Sequence, residues 1–308
     1  MRVFRSLERA RGAFSRPVVT IGNFDGVHRG HQVILEQVRA DADHRGVDAV
    51  ALTFEPHPVA VLRPEAAPRQ LMQLGDRIAA LATCGLDGVV VQRFTREFAS
   101  IEADHFIRRF LAEILDAQKL IVGHDLNFGH GRKGNVELLV EAGGRYGFAV
   151  EVIRPVMVGD VAVHSSVVRE AVADGDVALA ARLLGRPHYV RGRVVHGEGR
   201  GRKLGFATAN IRPKTRFVPP EGVYATRAVI EGESIDGVTS IGHTPTFGGT
   251  DTVIEAHLFI EWRDLYAANV KLEFLEKLRD QKKFDDAEAL GAQIRTDVER
   301  ARAVLARS

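Results

Sequence analysis

The sequence predicts two domains of different class: an α/β domain with an open parallel sheet, then a β-rich domain that ends in a helix. Three observations lead to this prediction. Apolar runs alternate with helix-periodic segments up to residue 185, and short runs rich in Val, Ile, Tyr and Thr follow Gly185-Arg186-Pro187. From Phe284 to Leu305, apolar residues recur every three or four positions. A length of 308 residues also suits two domains.

The first half contains short buried runs that read as strands, at 17–22, 48–54, 88–94, 119–123 and 148–153. The segments between them carry helical periodicity, namely the stretch after Gly30, 78–82, 101–115 and 136–146. Strands separated by helices form parallel βαβ units, and such sheets bind ligands at the carboxyl ends of their strands.

The second half lacks long helices until its end, and its short runs are bounded by glycines. This pattern predicts an antiparallel barrel or sandwich. We therefore place the domains at 1–185 and 186–308.

Composition narrows the class of protein. Lys and Arg number 42 against 40 Asp and Glu, so the net charge of +2 gives no overall reason to expect a nucleic-acid partner. The single cysteine, Cys84, allows no internal disulfide and fits a reducing cytoplasm. No apolar run approaches the ~18 residues of a membrane span.

The segment GNFDGVHRGH, Gly22 to His31, forms the first candidate site. It joins an apolar run to a helix-periodic segment, and a helix N-terminus after a glycine-bearing turn binds anions. Gly22 and Gly26 allow close approach of the backbone, while His28 and His31 can point the same way. We expect a phosphate ligand here; the alternative is an ordinary turn with two surface histidines.

The segment GEGRGRKLGFATANI, residues 197–211, forms the second candidate site. Glycine-rich backbone can surround a phosphate, and Arg and Lys can neutralise it. The alternatives are a basic surface loop and an RNA contact, although no run of aromatic residues accompanies the segment.

GNFDGVHRGH resembles the H-x-G-H motif of nucleotidylyltransferases, in the form found in prokaryotic bifunctional riboflavin kinase/FAD synthetases. Four more segments resemble that family in the expected order: TFEPHP (53–58), VGHDLNFGHGRKG (122–134), HSSVVREAV (164–172) and residues 197–211. The resemblance implies a Rossmann-like nucleotidyltransferase domain followed by an antiparallel β-barrel kinase domain.

In such enzymes the first domain joins AMP to FMN. The resemblance implies catalytic roles for His28, His31 and Arg169. It implies an ATP site made of Gly22, Phe24, Asp25, Gly26, His28, His31, Asp125, Ser165, Ser166 and Arg169. It implies a flavin site made of Phe54, Pro56, His57 and Pro58, with core packing as the alternative for Phe54.

The second domain resembles a riboflavin kinase. Its implied ATP site comprises Gly199, Gly201, Lys203, Gly205, Thr208 and Asn210. Thr208 and Asn210 would also meet Mg²⁺, and Arg279 would lie near the flavin. Glu255, in TVIEAHLF, would be the general base, and strand alternation places it on the face of Val253 and His257. The alternative is a salt bridge at the barrel rim.

Six positions depart from the family pattern: Leu126, His130, His164, Ser166, Ala207 and Ala267. The first four bear on the efficiency of adenylylation. Ala207 replaces a proline that would pre-set φ, and Ala267 replaces a glycine.

The function implied is phosphorylation of riboflavin to FMN, followed by adenylylation of FMN to FAD, with Mg²⁺ accompanying ATP. Partners would be riboflavin, FMN and ATP, with neither nucleic acid nor membrane, in a cytoplasmic monomer or weak homo-oligomer. The alternatives are a kinase with weak or lost adenylyltransferase activity and a flavin-sensing regulator without turnover. A nucleotidylyltransferase for another cofactor, such as pantetheine phosphate, would leave residues 197–211 unexplained.

Overall fold

The computed structural model describes residues 1–196, 208–215, 217–246, 249–261, 263–284 and 286–307. The chain divides into two compact units, Met1–Ser165 and Ser166–Ser308. Within the described ranges, no helix combines the length and the apolar character that crossing a bilayer requires.

A parallel sheet of six strands forms the centre of the first unit. In chain order the strands are β1 (Arg2–Phe4), β2 (Val18–Ile21), β3 (Ala49–Glu55), β4 (Gly88–Arg93), β5 (Lys119–Gly123) and β6 (Ala149–Ile153). Their order across the sheet is β1-β4-β3-β2-β5-β6, and all neighbours are parallel. The predicted open parallel sheet is confirmed. The edge strand β1 was not predicted, because it is only three residues long and lies in a polar, basic segment.

Helices connect these strands. They are α1 (Leu7–Ala10), α2 (Arg29–Arg45), α3 (Pro58–Leu62), α4 (Leu74–Thr83), α5 (Arg96–Ala99), α6 (Ala103–Phe106) and α7 (Val136–Tyr146). A π-helical segment, Ile107–Ile114, continues α6, and 3-10 turns lie at Pro64–Ala66 and His130–Arg132. A hairpin of β7 (Met157–Val158) and β8 (Val161–Ala162) follows the sheet.

The direction of winding reverses between β2 and β5. The chain proceeds from β2 to β3 and β4 on one side and from β5 to β6 on the other. Such a reversal opens a crevice beyond the carboxyl ends of the two central strands, where open α/β sheets bind ligands. The residues that follow β2 and β5 therefore lie where a site is expected.

A closed antiparallel barrel forms most of the second unit. Its strands are β9 (His188–Val195), β10 (Ala209–Pro213), β11 (Gly222–Ile230), β12 (Glu233–Thr246), β13 (Gly249–Leu258) and β14 (Asn269–Arg279). They close in the order β10-β13-β12-β11-β14-β9, because β10 also pairs with β9. The predicted barrel is confirmed over the sandwich.

Helices α8 (Ser165–Ala173) and α9 (Val177–Leu184) precede the barrel, and α10 (Ala287–Leu305) ends the chain. Val177 of α9 joins the same buried cluster as Ile211 and Ile254 of the barrel. Ala301 and Leu305 of α10 belong to a separate cluster with residues of β11 and β12. The domain boundary after residue 185 stays a prediction.

Candidate active sites

The loop between β2 and α2 has an unusual backbone. Phe24, Gly26 and Val27 take left-handed conformations, with φ of 49°, 84° and 40°. Such conformations are costly for a bulky or β-branched residue and cluster at functional sites. His28 ends the loop as the N-cap of α2, where its Nδ1 accepts a hydrogen bond from the backbone N–H of His31 at 3.3 Å.

The rings of His28 and His31 stack, with centroids 3.6 Å apart and an interplanar angle of 14°. The Phe24 ring meets His31 edge-on at 5.2 Å. Burial, aided by nearby His28 and His164, holds the pKa of His31 well below 6.5. His31 is therefore neutral at pH 7, and its buried Nδ1 has no hydrogen-bond partner among the described residues. In neutral His28, Nε2 carries the proton because Nδ1 accepts.

Gly30, which the sequence reasoning did not select, sits where a side chain would be tightly packed. A Cβ there would lie 3.2 Å from Nδ1 of His28 and 3.3 Å from the carbonyl oxygen of Val163. The glycine between the two histidines thus lets α2 begin close to the loop before α8. The sequence signal that could have identified Gly30 was its position between the two histidines of the H-x-G-H motif. At Gly22, a Cβ would meet the Phe24 ring at 3.1 Å.

Asp25 turns its carboxylate into the protein and is 2% exposed. The carboxylate accepts hydrogen bonds from the backbone N–H of Leu71, at 3.0 and 3.1 Å, and of Met72, at 3.3 Å. The carbonyl oxygen of Asp25 accepts from Oγ of Ser165 at 3.0 Å. Asp25 and Ser165 thus brace the loop, and their contact with ATP stays a prediction.

Asp125, just beyond β5, has an exposed side chain. Its Oδ2 lies 3.8 Å from Nδ1 of His164, one of the positions that depart from the family pattern. Since Ser165 also contacts the loop after β2, the fold brings residues after β2, after β5 and before α8 to one edge of the sheet. On α8, Ser166 is exposed and Arg169 is half-buried.

The segment implied to hold flavin spans the end of β3 and the residues that follow it. Phe54 is half-buried against the core, with its ring 5.8 Å from Phe94 and 6.0 Å from Phe98. This packing supports the core alternative for Phe54. His57 caps α3 by accepting from the N–H of Val59 at 3.2 Å, and its Nε2 lies 3.4 Å from the amide of Asn23.

Pro58 opens α3, where a missing N–H costs nothing, and Pro56 is exposed two residues earlier. The segment therefore has a defined backbone at the carboxyl end of β3. Its contact with flavin stays a prediction.

Arg77 of α4, a residue that the sequence reasoning missed, links the loop after β2 to the end of β3 from a buried position. Its guanidinium donates to the carbonyl oxygens of Asn23 and Phe54 and to the carboxylate of Glu55. No local pattern distinguishes it from the other arginines of the chain.

In the barrel, Asn210 of β10 lies directly opposite Glu255 of β13. Glu255 also lies opposite Ser240 of β12. Ile211 and Ile254, the next residues along β10 and β13, are buried in the barrel core. Since strand side chains alternate, Asn210, Glu255 and Ser240 share the opposite face.

Glu255 is half-buried, and within the described part of the chain it has no ion-pair partner. The choice between general base and salt bridge stays a prediction. Gln281 supports the same face by donating to Oγ of Ser240 at 2.6 Å and to the carbonyl oxygen of Ile241 at 3.0 Å. Thr208 is half-buried just before β10. Several predicted positions lie outside the described residues: Gly199, Gly201, Lys203, Gly205 and Ala207.

Arg279, implied to lie near flavin, is held by a buried carboxylate. Its Nε and Nη2 donate to Asp297 of α10 at 2.7 to 3.0 Å, and Asp297 is 1% exposed. Its Nη1 donates to the carbonyl oxygen of Asp280 at 3.0 Å. The guanidinium therefore ties the end of β14 to α10, and a flavin contact stays a prediction.

Comparison with known families matches the two halves of the chain separately. The FAD synthetase family model matches residues 11–167, and the riboflavin kinase model matches residues 184–305.

Relatives match the chain over nearly its whole length. The bifunctional riboflavin kinase/FMN adenylyltransferase of Haemophilus influenzae is 40% identical over 98% of this chain and 99% of its own. Its namesake from Pseudomonas fluorescens is 41% identical over 100% of this chain and 99% of its own. A solved chain described as a macrolide-efflux protein from Streptococcus pneumoniae shares the fold. It has a TM-score of 0.89 and 29% identity, over 97% of this chain and 98% of that one.

Proposed function

We propose that this chain, which belongs to the family of bifunctional riboflavin kinases/FMN adenylyltransferases, makes FAD in two steps. It phosphorylates riboflavin with ATP to give FMN, and it then joins AMP from a second ATP to FMN, with release of pyrophosphate. The observation that carries this proposal is the match of both family models, in order, at separate segments of one chain.

For adenylylation, a phosphate oxygen of FMN attacks the α-phosphorus of ATP, and the bond from that phosphorus to the β-phosphate oxygen breaks. The attacking phosphate is already ionised near neutral pH, so the step requires charge stabilisation and positioning more than a base. His28 and His31 donate hydrogen bonds to phosphate oxygens at the N-terminus of α2. The low pKa of His31 supports a neutral donor in this role.

The other residues of this half bind and orient the substrates. Ser165, Ser166 and Arg169 hold ATP phosphates, with Arg169 countering their charge. Asp125 contacts the nucleotide, and Pro56, His57 and Pro58 flank the flavin, while Phe54 packs against the core.

For phosphorylation, the ribityl hydroxyl attacks the γ-phosphorus of ATP, Glu255 accepts the hydroxyl proton, and ADP leaves. A half-buried carboxylate without a counter-ion among the described residues supports this role. Asn210, directly opposite Glu255, and Thr208 orient the phosphates. The glycine-rich segment 197–211 surrounds them.

The donor set fits Mg²⁺, which prefers hard oxygen ligands. The amide oxygen of Asn210 and the hydroxyl of Ser240 share one face with the Glu255 carboxylate, and Thr208 adds a second hydroxyl. When bound with ATP, Mg²⁺ neutralises charge on the phosphates. We propose Thr208 and Asn210 as its protein ligands.

The proposal also includes the compartment, oligomeric state, partners and domain boundary of the enzyme. We infer a cytoplasmic monomer or weak homo-oligomer with small-molecule partners only, and a kinase domain that begins near residue 186. The single cysteine supports a reducing compartment.

Chromatography of flavins after incubation with riboflavin, ATP and Mg²⁺ tests the proposal. We expect FMN to appear first and FAD to follow. FMN without FAD would indicate a kinase alone, and binding of FMN without turnover would indicate a sensor.

A further inference from the structure

Arg77 is buried to an extent that is unusual for an arginine. It is 2% exposed, and no other lysine or arginine in the described ranges is buried. Arginine is almost never fully buried unless its charge is paired, because removing it from water is costly. An apolar side chain would fill the same space without that cost. The position therefore calls for an explanation beyond packing.

The contacts of Arg77 join the ends of two neighbouring strands. Nη1 donates to the carbonyl oxygen of Asn23, beyond β2, at 2.9 Å. Nη2 donates to the carbonyl oxygen of Phe54, near the end of β3, at 3.2 Å and to the carboxylate of Glu55. A planar guanidinium holds all three groups in a fixed relation, which a lysine ammonium cannot reproduce.

A second charged group, Asp25, links the same loop and the start of α4 by hydrogen bonds in the opposite direction. The buried carboxylate of Asp25 accepts from the N–H groups of Leu71 and Met72, which lie just before α4. Arg77, in the first turns of α4, donates back to Asn23. The loop that carries Asn23 and Asp25 and the start of α4 therefore hold each other from both sides.

We infer that Arg77 is a positioning residue for adenylylation, which fixes the end of β3 against the loop that leads to His28. The inference rests on the proposed function, in which the segment that begins at the end of β3 flanks FMN and the loop that leads to His28 holds ATP. In-line attack requires the two substrates at a fixed distance, and a displacement of about 1 Å can cost about 10²-fold in rate. One guanidinium bonded to both backbones supplies that constraint.

The test compares Arg77→Lys, Arg77→Met and Glu55→Gln in the full chain. Arg45→Met is the matched control, because Arg45 is an exposed arginine at the far end of α2, where it pairs with Asp41. Both reactions are measured on each preparation, as kcat and KM for FMN and for riboflavin, with a melting curve. We expect Arg77→Lys and Arg77→Met to lower kcat/KM for adenylylation by about 10- to 100-fold, with a smaller loss in Glu55→Gln. Riboflavin phosphorylation should be unchanged in every variant.

A folded Arg77→Lys with adenylylation constants within about twofold of the parent would overturn the inference. So would a failure of both Arg77 variants to fold together with normal kinetics in Glu55→Gln, since Arg77 would then serve stability alone. Adenylylation that survives replacement of both His28 and His31 would instead contradict the proposed site itself, whatever the Arg77 variants do.

Discussion

Asn210 and Glu255 lie directly opposite each other on the antiparallel strands β10 and β13. Their neighbours Ile211 and Ile254 are buried in the barrel core, and a slip of one residue would move these apolar side chains out of it. The core therefore fixes the register that places an amide beside an acid. Within the described ranges, no cation neutralises that acid.

We predict that Glu255→Gln lowers FMN formation by about 10²- to 10⁴-fold, the usual contribution of a general base. The amide keeps the shape of the side chain but cannot accept the hydroxyl proton. Riboflavin affinity should change little, and FAD formation from supplied FMN should persist. Flavin chromatography of both steps on one preparation measures these effects.

Glu276→Gln, a change at an exposed glutamate of β14, is the matched control. It should leave both reactions unchanged. Near-normal kinase turnover in folded Glu255→Gln would rule out the base and leave phosphorylation to Mg²⁺, Thr208, Asn210 and positioning.

Replacing both His28 and His31 with Ala should stop FAD formation from added FMN and leave riboflavin phosphorylation running. The stacked rings at the start of α2 would no longer donate to phosphate. Loss of the His28 cap should also lower stability by about 1 kcal/mol, so activity is to be expressed per folded molecule. Undiminished FAD synthesis would contradict the assignment of His28 and His31 to the adenylylation site.

His188 makes the protein sensitive to acid. It is 2% exposed, and its ring centroid lies 6.0 Å from that of Phe217 and 6.4 Å from that of Phe274. Its Nε2 lacks a partner among the described residues, and burial lowers its pKa to about 4. The unfolded chain, with a His188 pKa of about 6.5, binds the proton more readily. Stability is therefore intact above pH 6.5 and falls as the pH drops toward 4, by about 2 kcal/mol between pH 7 and pH 5.

Denaturation of His188→Phe at pH 7, 6 and 5 checks this prediction. The variant should lose less stability than the parent over that range. Exposed His44 provides the control, and His44→Gln should retain the parental slope. Parallel curves for parent and His188→Phe would show that His188 does not carry the acid sensitivity.

Ala267 shows what one departure from the family pattern costs. It has φ of 64°, and its N–H donates to the carbonyl oxygen of Val194 at 3.0 Å, which holds the strained conformation. Ala267→Gly should stabilise the protein by about 0.5–1 kcal/mol, because glycine accepts positive φ without steric cost. Urea denaturation measures the gain. Ala268→Gly, where φ is ordinary, should instead destabilise.

Fragments test where the kinase domain begins. Residues 186–308 alone should fold and phosphorylate riboflavin if the predicted boundary is right. Residues 166–308 should be more stable, because they retain α9 and its buried Val177. Melting curves and kinase assays of both compare the two boundaries. A folded 186–308 that binds neither Mg-ATP nor riboflavin would contradict the prediction of an autonomous kinase.

Local patterns in the sequence are enough to predict the class of each half and the character of its main segments. Alternating apolar runs predicted five of the six parallel strands, and the change of pattern after residue 185 predicted the β-rich half. The spacing of His28 and His31 predicted a pair at a helix N-terminus. These features are local, because periodicity records which side chains along one segment face the core.

Which distant groups meet becomes known only from the folded chain. The pairing of Asn210 with Glu255, the inward turn of Asp25 and the contacts of Arg77 depend on strand order and register. No periodicity within Arg77's own helix reports that its guanidinium reaches the ends of two strands. A buried charge is selected by partners far along the chain, and those partners come within hydrogen-bond distance only after the sheet and its helices have packed.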